Sequence, residues 1–105
     1  MAKHVAPVYP STMRLLISLG ERIYQARLRR RIPLVEFSQR IGVSRETVYR
    51  IEQGDPSVSM GTVARALAVL GLDLDLNLVA QEDPVGRKLQ DGAATIRRRP
   101  KEPQL

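Results

Sequence analysis

The sequence predicts a mainly α-helical domain of four to five helices followed by one C-terminal strand. Three observations predict it. Apolar residues recur at helical spacing in successive stretches between residues 11 and 70. Those stretches are parted by Pro33, by Gly42-Val43 and by Gly54-Asp55-Pro56-Ser57, all breaks with turn chemistry. After Gly71 the period drops to two, in Leu72-Asp73-Leu74-Asp75-Leu76-Asn77-Leu78.

Residues 1–10, with Pro7 and Pro10, read as an extended arm. Ser11 or Thr12 then caps a long first helix that runs to about Arg31, with Leu15, Leu16, Leu19, Ile23, Ala26 and Leu28 at helical spacing. Arg29, Arg30 and Arg31 crowd its last turn, where the helix dipole favours positive charge. Compensation of that dipole is preferred here to a direct role in binding. Pro33 suits the first turn of a second helix whose inward residues are Phe37 and Ile41. Ser38 is small enough to let a neighbouring helix approach.

Ser44 caps the third helix. Val48 and Ile51 give this helix one apolar edge, while Arg45, Glu46, Tyr49, Arg50 and Gln53 project elsewhere. A short helix with a buried edge and a projecting polar edge, entered by a tight turn from a preceding helix, suits insertion into a DNA major groove. The segment therefore reads as a helix-turn-helix. Ser59 caps a fourth helix, Met60 to Leu70, in which Val63, Ala66, Leu67 and Leu70 form an inward stripe that Gly71 ends.

The alternating segment, residues 72–79, is expected to be a strand with Leu72, Leu74, Leu76 and Leu78 on one face. One strand alone leaves its backbone groups without partners. Pairing with the same strand of a second copy across a two-fold axis solves this, and burying four leucines per chain contributes roughly 6–12 kcal/mol before entropic costs. The alternative is a strand folded back on the N-terminal arm. The domain so bounded is 11–80. Residues 81–105 are polar and interrupted by glycine and proline, and are expected to form a mostly disordered basic tail in which Val85 to Leu89 forms a short turn packed on the body.

The 105 residues hold 17 Lys+Arg against 11 Asp+Glu, a formal charge of +6. That excess favours a polyanionic partner, nucleic acid before an anionic membrane. The tail carries Arg87, Lys88, Arg97, Arg98, Arg99 and Lys101, so part of the excess lies outside the domain. Without cysteine there is no disulfide framework and no thiolate metal site. The lone His4 sits in a proline-flanked arm, and no cluster has metal-ligand spacing, so neither enzyme activity nor a metal or cofactor is expected. No signal-peptide pattern and no membrane span are read; the expected compartment is the cytoplasm.

From Gly20 to about Leu78 the chain resembles the λ-repressor/Cro-like (XRE) helix-turn-helix family. Leu19-Gly20-Glu21-Arg22-Ile23, Arg27, Gly42-Val43-Ser44, Thr47-Val48, Ile51-Glu52 and Gly54 carry the resemblance. The branch it looks most like is the HipB-like antitoxins, through LGLDLDLNL and DPVGRKLQ. The resemblance implies a homodimer on a two-fold symmetric double-stranded DNA operator. It also implies repression of its own operon and sequestration of a HipA-like kinase toxin. By position, Arg45, Glu46 and Tyr49 are implied to touch base edges; an arginine fork suits guanine O6 and N7. Ser44, Thr47, Arg50, Gln53, Ser57 and Ser59 are implied to touch phosphates. Arg27 and Glu52 match a structural salt bridge between the first and third helices.

The chain departs from the family's usual start of the second helix, Ser/Thr then Gln. It has Pro33 and Leu34 there, which offer a phosphate no polar side chain. Two other functions remain open: a free-standing regulator without a toxin, and a protein-interaction adaptor that has lost DNA binding.

Overall fold

The computed structural model describes residues 6–92. Among the described residues there are five α-helices: α1 Pro10–Arg29, α2 Leu34–Ile41, α3 Arg45–Gln53, α4 Met60–Val69 and α5 Pro84–Gly92. A 3-10 helix, Asp73–Leu78, lies between α4 and α5.

Helix α1 starts earlier than the sequence suggested. Tyr9 stands at the N-cap and Pro10 takes the first helical position, where its fixed φ and missing N–H cost nothing. Neither Ser11 nor Thr12 caps it. At the other end the chain turns through Arg31, whose φ of 54° is left-handed. Ile32 N–H reaches the Arg27 carbonyl and Arg31 N–H the Leu28 carbonyl, the paired bonds of a Schellman stop. Ile32, buried just beyond, completes the stop. Glycine is the usual residue at such a position, and an L-residue costs about 1–2 kcal/mol there. Arg31→Gly is therefore expected to stabilise the domain by about 1 kcal/mol, read as a higher midpoint in urea unfolding.

Pro33 sits at the N-cap of α2 rather than inside its first turn. Gly42, at φ 85°, ends α2 in the left-handed conformation and sends the chain into α3. Gly54, at φ 75°, ends α3 in the same way. The Ser38 hydroxyl is turned back onto the Val35 carbonyl, so this small polar residue is buried without an orphan group.

The core unites all four N-terminal helices: Ile23 and Ala26 of α1, Phe37 and Ile41 of α2, Val48 and Ile51 of α3, and Ala66, Leu67 and Leu70 at α4, joined by Ile32. Phe37, Ile23 and Val48 are the largest fully enclosed side chains. Leu19, Val43, Val58, Val63 and Leu72 pack around them. Two residues expected to face inward do not: Leu15 is 69% and Leu28 43% exposed. Leu15 precedes the first α1 backbone atoms that the end of α3 meets, the Leu16 carbonyl and Ile17 beside Gly54.

Among the described residues there is no strand. The segment expected to be one is the 3-10 helix, closed by local bonds from Asp75 N–H to the Leu72 carbonyl and from Val79 N–H to Leu76. A lone strand would leave its ladder groups unpaired, whereas i to i+3 bonds satisfy them within the chain. With about three residues per turn, alternate leucines fan out to different sides instead of sharing a face. Leu74, Leu76 and Leu78 are all exposed, and only Leu72, which precedes the 3-10 helix, packs on the core of its own chain. Residues 84–92, expected within a disordered tail, form α5, whose first turn is held by Asp83: its Oδ1 accepts from Gly86 N–H at 3.0 Å. Val85 and Leu89, expected in a turn packed on the body, are both 67% exposed. Arg97, Arg98 and Arg99 lie outside the described residues.

Candidate nucleic-acid interface

Helix α3 owes its exposed face to simple periodicity. At 100° per residue, Arg45, Glu46, Tyr49, Arg50 and Gln53 fall within an arc of about 140°. Val48 and Ile51 point to the other side, into the body, while Glu52 stands at the flank beside Arg45 and is drawn inward by Arg27. All five residues of the outer arc are exposed, and Tyr49 keeps 59% of its surface open. Among the described residues Arg45 and Arg50 form no ion pair, so Arg50 is not tied to Glu46 four positions earlier. Two unpaired guanidiniums, one carboxylate, an amide and a phenol thus share one solvent-facing surface.

The ends of α3 are fixed by its neighbours. Ser44 Oγ accepts from Thr47 N–H at 3.1 Å and shares a hydroxyl bond of 3.1 Å with Thr47 Oγ1. Ser59 repeats this arrangement with Thr62 at the start of α4, with bonds of 3.1 and 2.9 Å. Ser44, Thr47 and Ser59 therefore act first as helix-capping groups. Ser57 lies in the α3–α4 loop, where its N–H donates to Asp55 Oδ1 at 2.8 Å. That bond, with help from the Ser57 hydroxyl, holds the Asp55 carboxyl below its ordinary pKa. Asp55 is thus the one fixed negative charge in this loop, next to hydroxyls expected to meet phosphates.

Beneath α3 lies the most heavily used side chain of the domain. Arg27 Nε donates to Glu52 Oε2 at 2.7 Å and Nη2 to Glu52 Oε1 at 3.1 Å, a two-pronged pair. Its Nη1 donates to the Ile32 carbonyl at 3.0 Å. The guanidinium carbon also lies 5.4 Å from the Tyr24 ring centre and 5.9 Å from that of Phe37. The hydrogen bond to Glu52 raises the Arg27 pKa further, which fixes the cation. The pair expected from the sequence is therefore present, and it joins α1, the α1–α2 turn and α3 at one point.

Glycine permits the same junction from the backbone side. A Cβ on Gly20 would stand 2.7 Å from the Glu52 carbonyl oxygen and 2.7 Å from the Gly54 nitrogen. Helices α1 and α3 therefore meet backbone to backbone here. One contributor was not foreseen: Arg65 of α4 donates from Nε to the Ile41 carbonyl at 3.1 Å, closing the last turn of α2 just before the turn. Nothing in the periodicity of α4 marks Arg65, because an arginine on an outer face looks like any solvated residue.

At α2 the first turn has no side-chain cap, in keeping with Pro33 and Leu34. Among the described residues no group of three or more His, Cys, Asp or Glu residues lies where it could hold a metal ion. No described helix is long and apolar enough to cross a membrane. A family model described as a helix-turn-helix domain matches residues 18–78, more than half of the chain. No curated protein matches it.

Proposed function

The chain belongs to the helix-turn-helix domain family, and from that premise we propose that it is a sequence-specific DNA-binding repressor acting as a homodimer. The observation that carries the proposal is the outer arc of α3: Arg45, Glu46, Tyr49, Arg50 and Gln53 are exposed together on a helix whose height is fixed from below. Arg45, in the first turn, is assigned to bidentate contact with a guanine, and Glu46 and Tyr49 to neighbouring base edges. Arg50 and Gln53 are assigned to phosphates. The hydroxyls of Ser44, Thr47 and Ser59 are assigned there too, from capping positions at the starts of α3 and α4, as is that of Ser57 from the loop between them.

Arg45→Ala is expected to cost about 1–3 kcal/mol against the preferred base at one position and to relax discrimination there. Equal losses on every sequence tested by fluorescence anisotropy would count against base readout. Binding is also expected to weaken steeply with salt. A chain with no salt-sensitive DNA affinity would instead be the adaptor considered above.

The dimer is proposed to form through residues 72–79. Leu74 and Leu78 are 76% and 64% exposed and Val79 70%, apolar surface that a second copy would cover. Pairing with the same segment of that copy would give the backbone a strand ladder in place of its 3-10 bonds. Leu74→Asp is expected to yield monomers in sedimentation velocity; an unchanged dimer would refute this interface. Two recognition helices should then address half-sites about 34–36 Å apart, or a multiple of it.

The finer reading, an antitoxin that represses its own operon and sequesters a HipA-like kinase toxin, rests on the resemblance of LGLDLDLNL and DPVGRKLQ to that branch. Co-purification of a kinase-fold protein encoded beside this chain is the test. Its absence from the neighbouring reading frames would leave a free-standing regulator.

A further inference from the structure

The outward side of α1 carries chemistry that neither the core nor the α3 face uses. At 100° per residue Arg14, Ser18, Arg22, Gln25 and Arg29 fall within an arc of about 80°. All five are exposed. The stripe runs about 22 Å along the helix, and its centre points roughly 160° away from Gly20, where α1 touches α3. Among the described residues none of its three arginines forms an ion pair. Arg22 Nη1 donates to Ser18 Oγ at 2.8 Å. Glu21, the sole acid of α1, is engaged by Gln25 Nε2 at 2.8 Å.

Helix electrostatics account for Arg29, in the last turn, but not for the other two. Arg22 is mid-helix, and Arg14 lies toward the positive end of the dipole, where a cation gains nothing. A protein partner would call for an apolar centre ringed by polar groups. Here the order is reversed, since Leu15, Ile17 and Leu28 border the stripe and its centre is made of arginine, serine and glutamine. These are the donors that meet phosphate oxygens, and arginine forks do so in two-pronged fashion.

We propose that this stripe binds the phosphate backbone of a second segment of duplex DNA, separate from the one whose groove α3 enters. It carries no sequence information. It lets an operator-bound molecule hold a neighbouring stretch of DNA.

The test uses the full chain carrying Arg45→Ala and Arg50→Ala, which blunts the groove face, and a short labelled duplex of arbitrary sequence. Anisotropy is expected to show binding whose log–log salt slope falls by roughly 2–3 when Arg14, Arg22 and Arg29 are all changed to Gln, since each phosphate contact contributes roughly 0.9. The triple Lys variant keeps the slope, which separates lost charge from lost fold. Equal slopes for the Arg and Gln forms overturn the proposal. So does stripe-dependent binding of polyglutamate with no stripe-dependent binding of duplex, which would make this an acidic-protein surface. Failure of groove reading gives a different signature: with the stripe unchanged, Arg45→Ala would weaken binding equally on every duplex sequence, or not at all.

Discussion

Glu52→Ala is expected to destabilise the domain by about 3–5 kcal/mol, the penalty for stranding one member of a buried ion pair. Both side chains of the pair keep only 9% of their surface exposed. Removal of Glu52 leaves Arg27 cationic, enclosed by Tyr24 and Phe37, and still bonded to the Ile32 carbonyl. The charge can neither reach water easily nor give up its proton, because guanidinium stays protonated throughout the accessible range. Urea unfolding followed by circular dichroism gives the number. The exposed pair Arg40–Glu36 is the internal control: its side chains are 51% and 44% open, and Glu36→Ala should shift stability by only about 0.5 kcal/mol. Equal effects of the two alanine variants would contradict the hub described for Arg27.

Gly54→Ala is expected to cost about 2–5 kcal/mol, from two sources that add. Its φ of 75° is a left-handed conformation that an L-residue adopts at about 1–2 kcal/mol. The added Cβ would stand 2.5 Å from the Leu16 carbonyl oxygen and 2.6 Å from the Ile17 Cα, both backbone atoms that cannot swing aside. Overpacking of that kind typically adds about 1–3 kcal/mol. Gly42→Ala separates the two sources. Gly42 has φ 85° with nothing within 4 Å of its missing Cβ, so it should show the conformational part alone. Equal losses at the two glycines would remove the steric argument.

Much of this architecture was legible in the residues. The spacing of Phe37, Ile41, Val48, Ile51, Ala66 and Leu67 predicts the core that forms, and Ser44, Gly42, Ser59 and Gly54 mark the helix ends where they occur. The Arg27–Glu52 pair came from resemblance alone; nothing in composition or period would have linked residues 25 positions apart. The alternation of Leu72 to Leu78 predicts a strand paired with a second copy, but in the single chain the segment closes into a 3-10 helix, because alternation reports a face only where a neighbouring strand exists to define it. Helix α5 was missed because Pro84, Gly86 and Gly92 read as interruptions, whereas Pro84 opens the helix and Gly92 closes it. Ile32 escaped notice because it lies between helices, where no period applies, yet it is buried as the hydrophobic partner of a Schellman stop.

The backbone contact of α1 and α3 at Gly20 separates how the reading helix is held from what it reads. Its height and tilt are set by main-chain atoms and by residues on its hidden side, none of which belongs to the outer arc. On the proposed function, exchanging Arg45, Glu46 or Tyr49 retunes the preferred operator while the docking pose stays put, so the domain serves as a scaffold whose target sequence can drift without refolding.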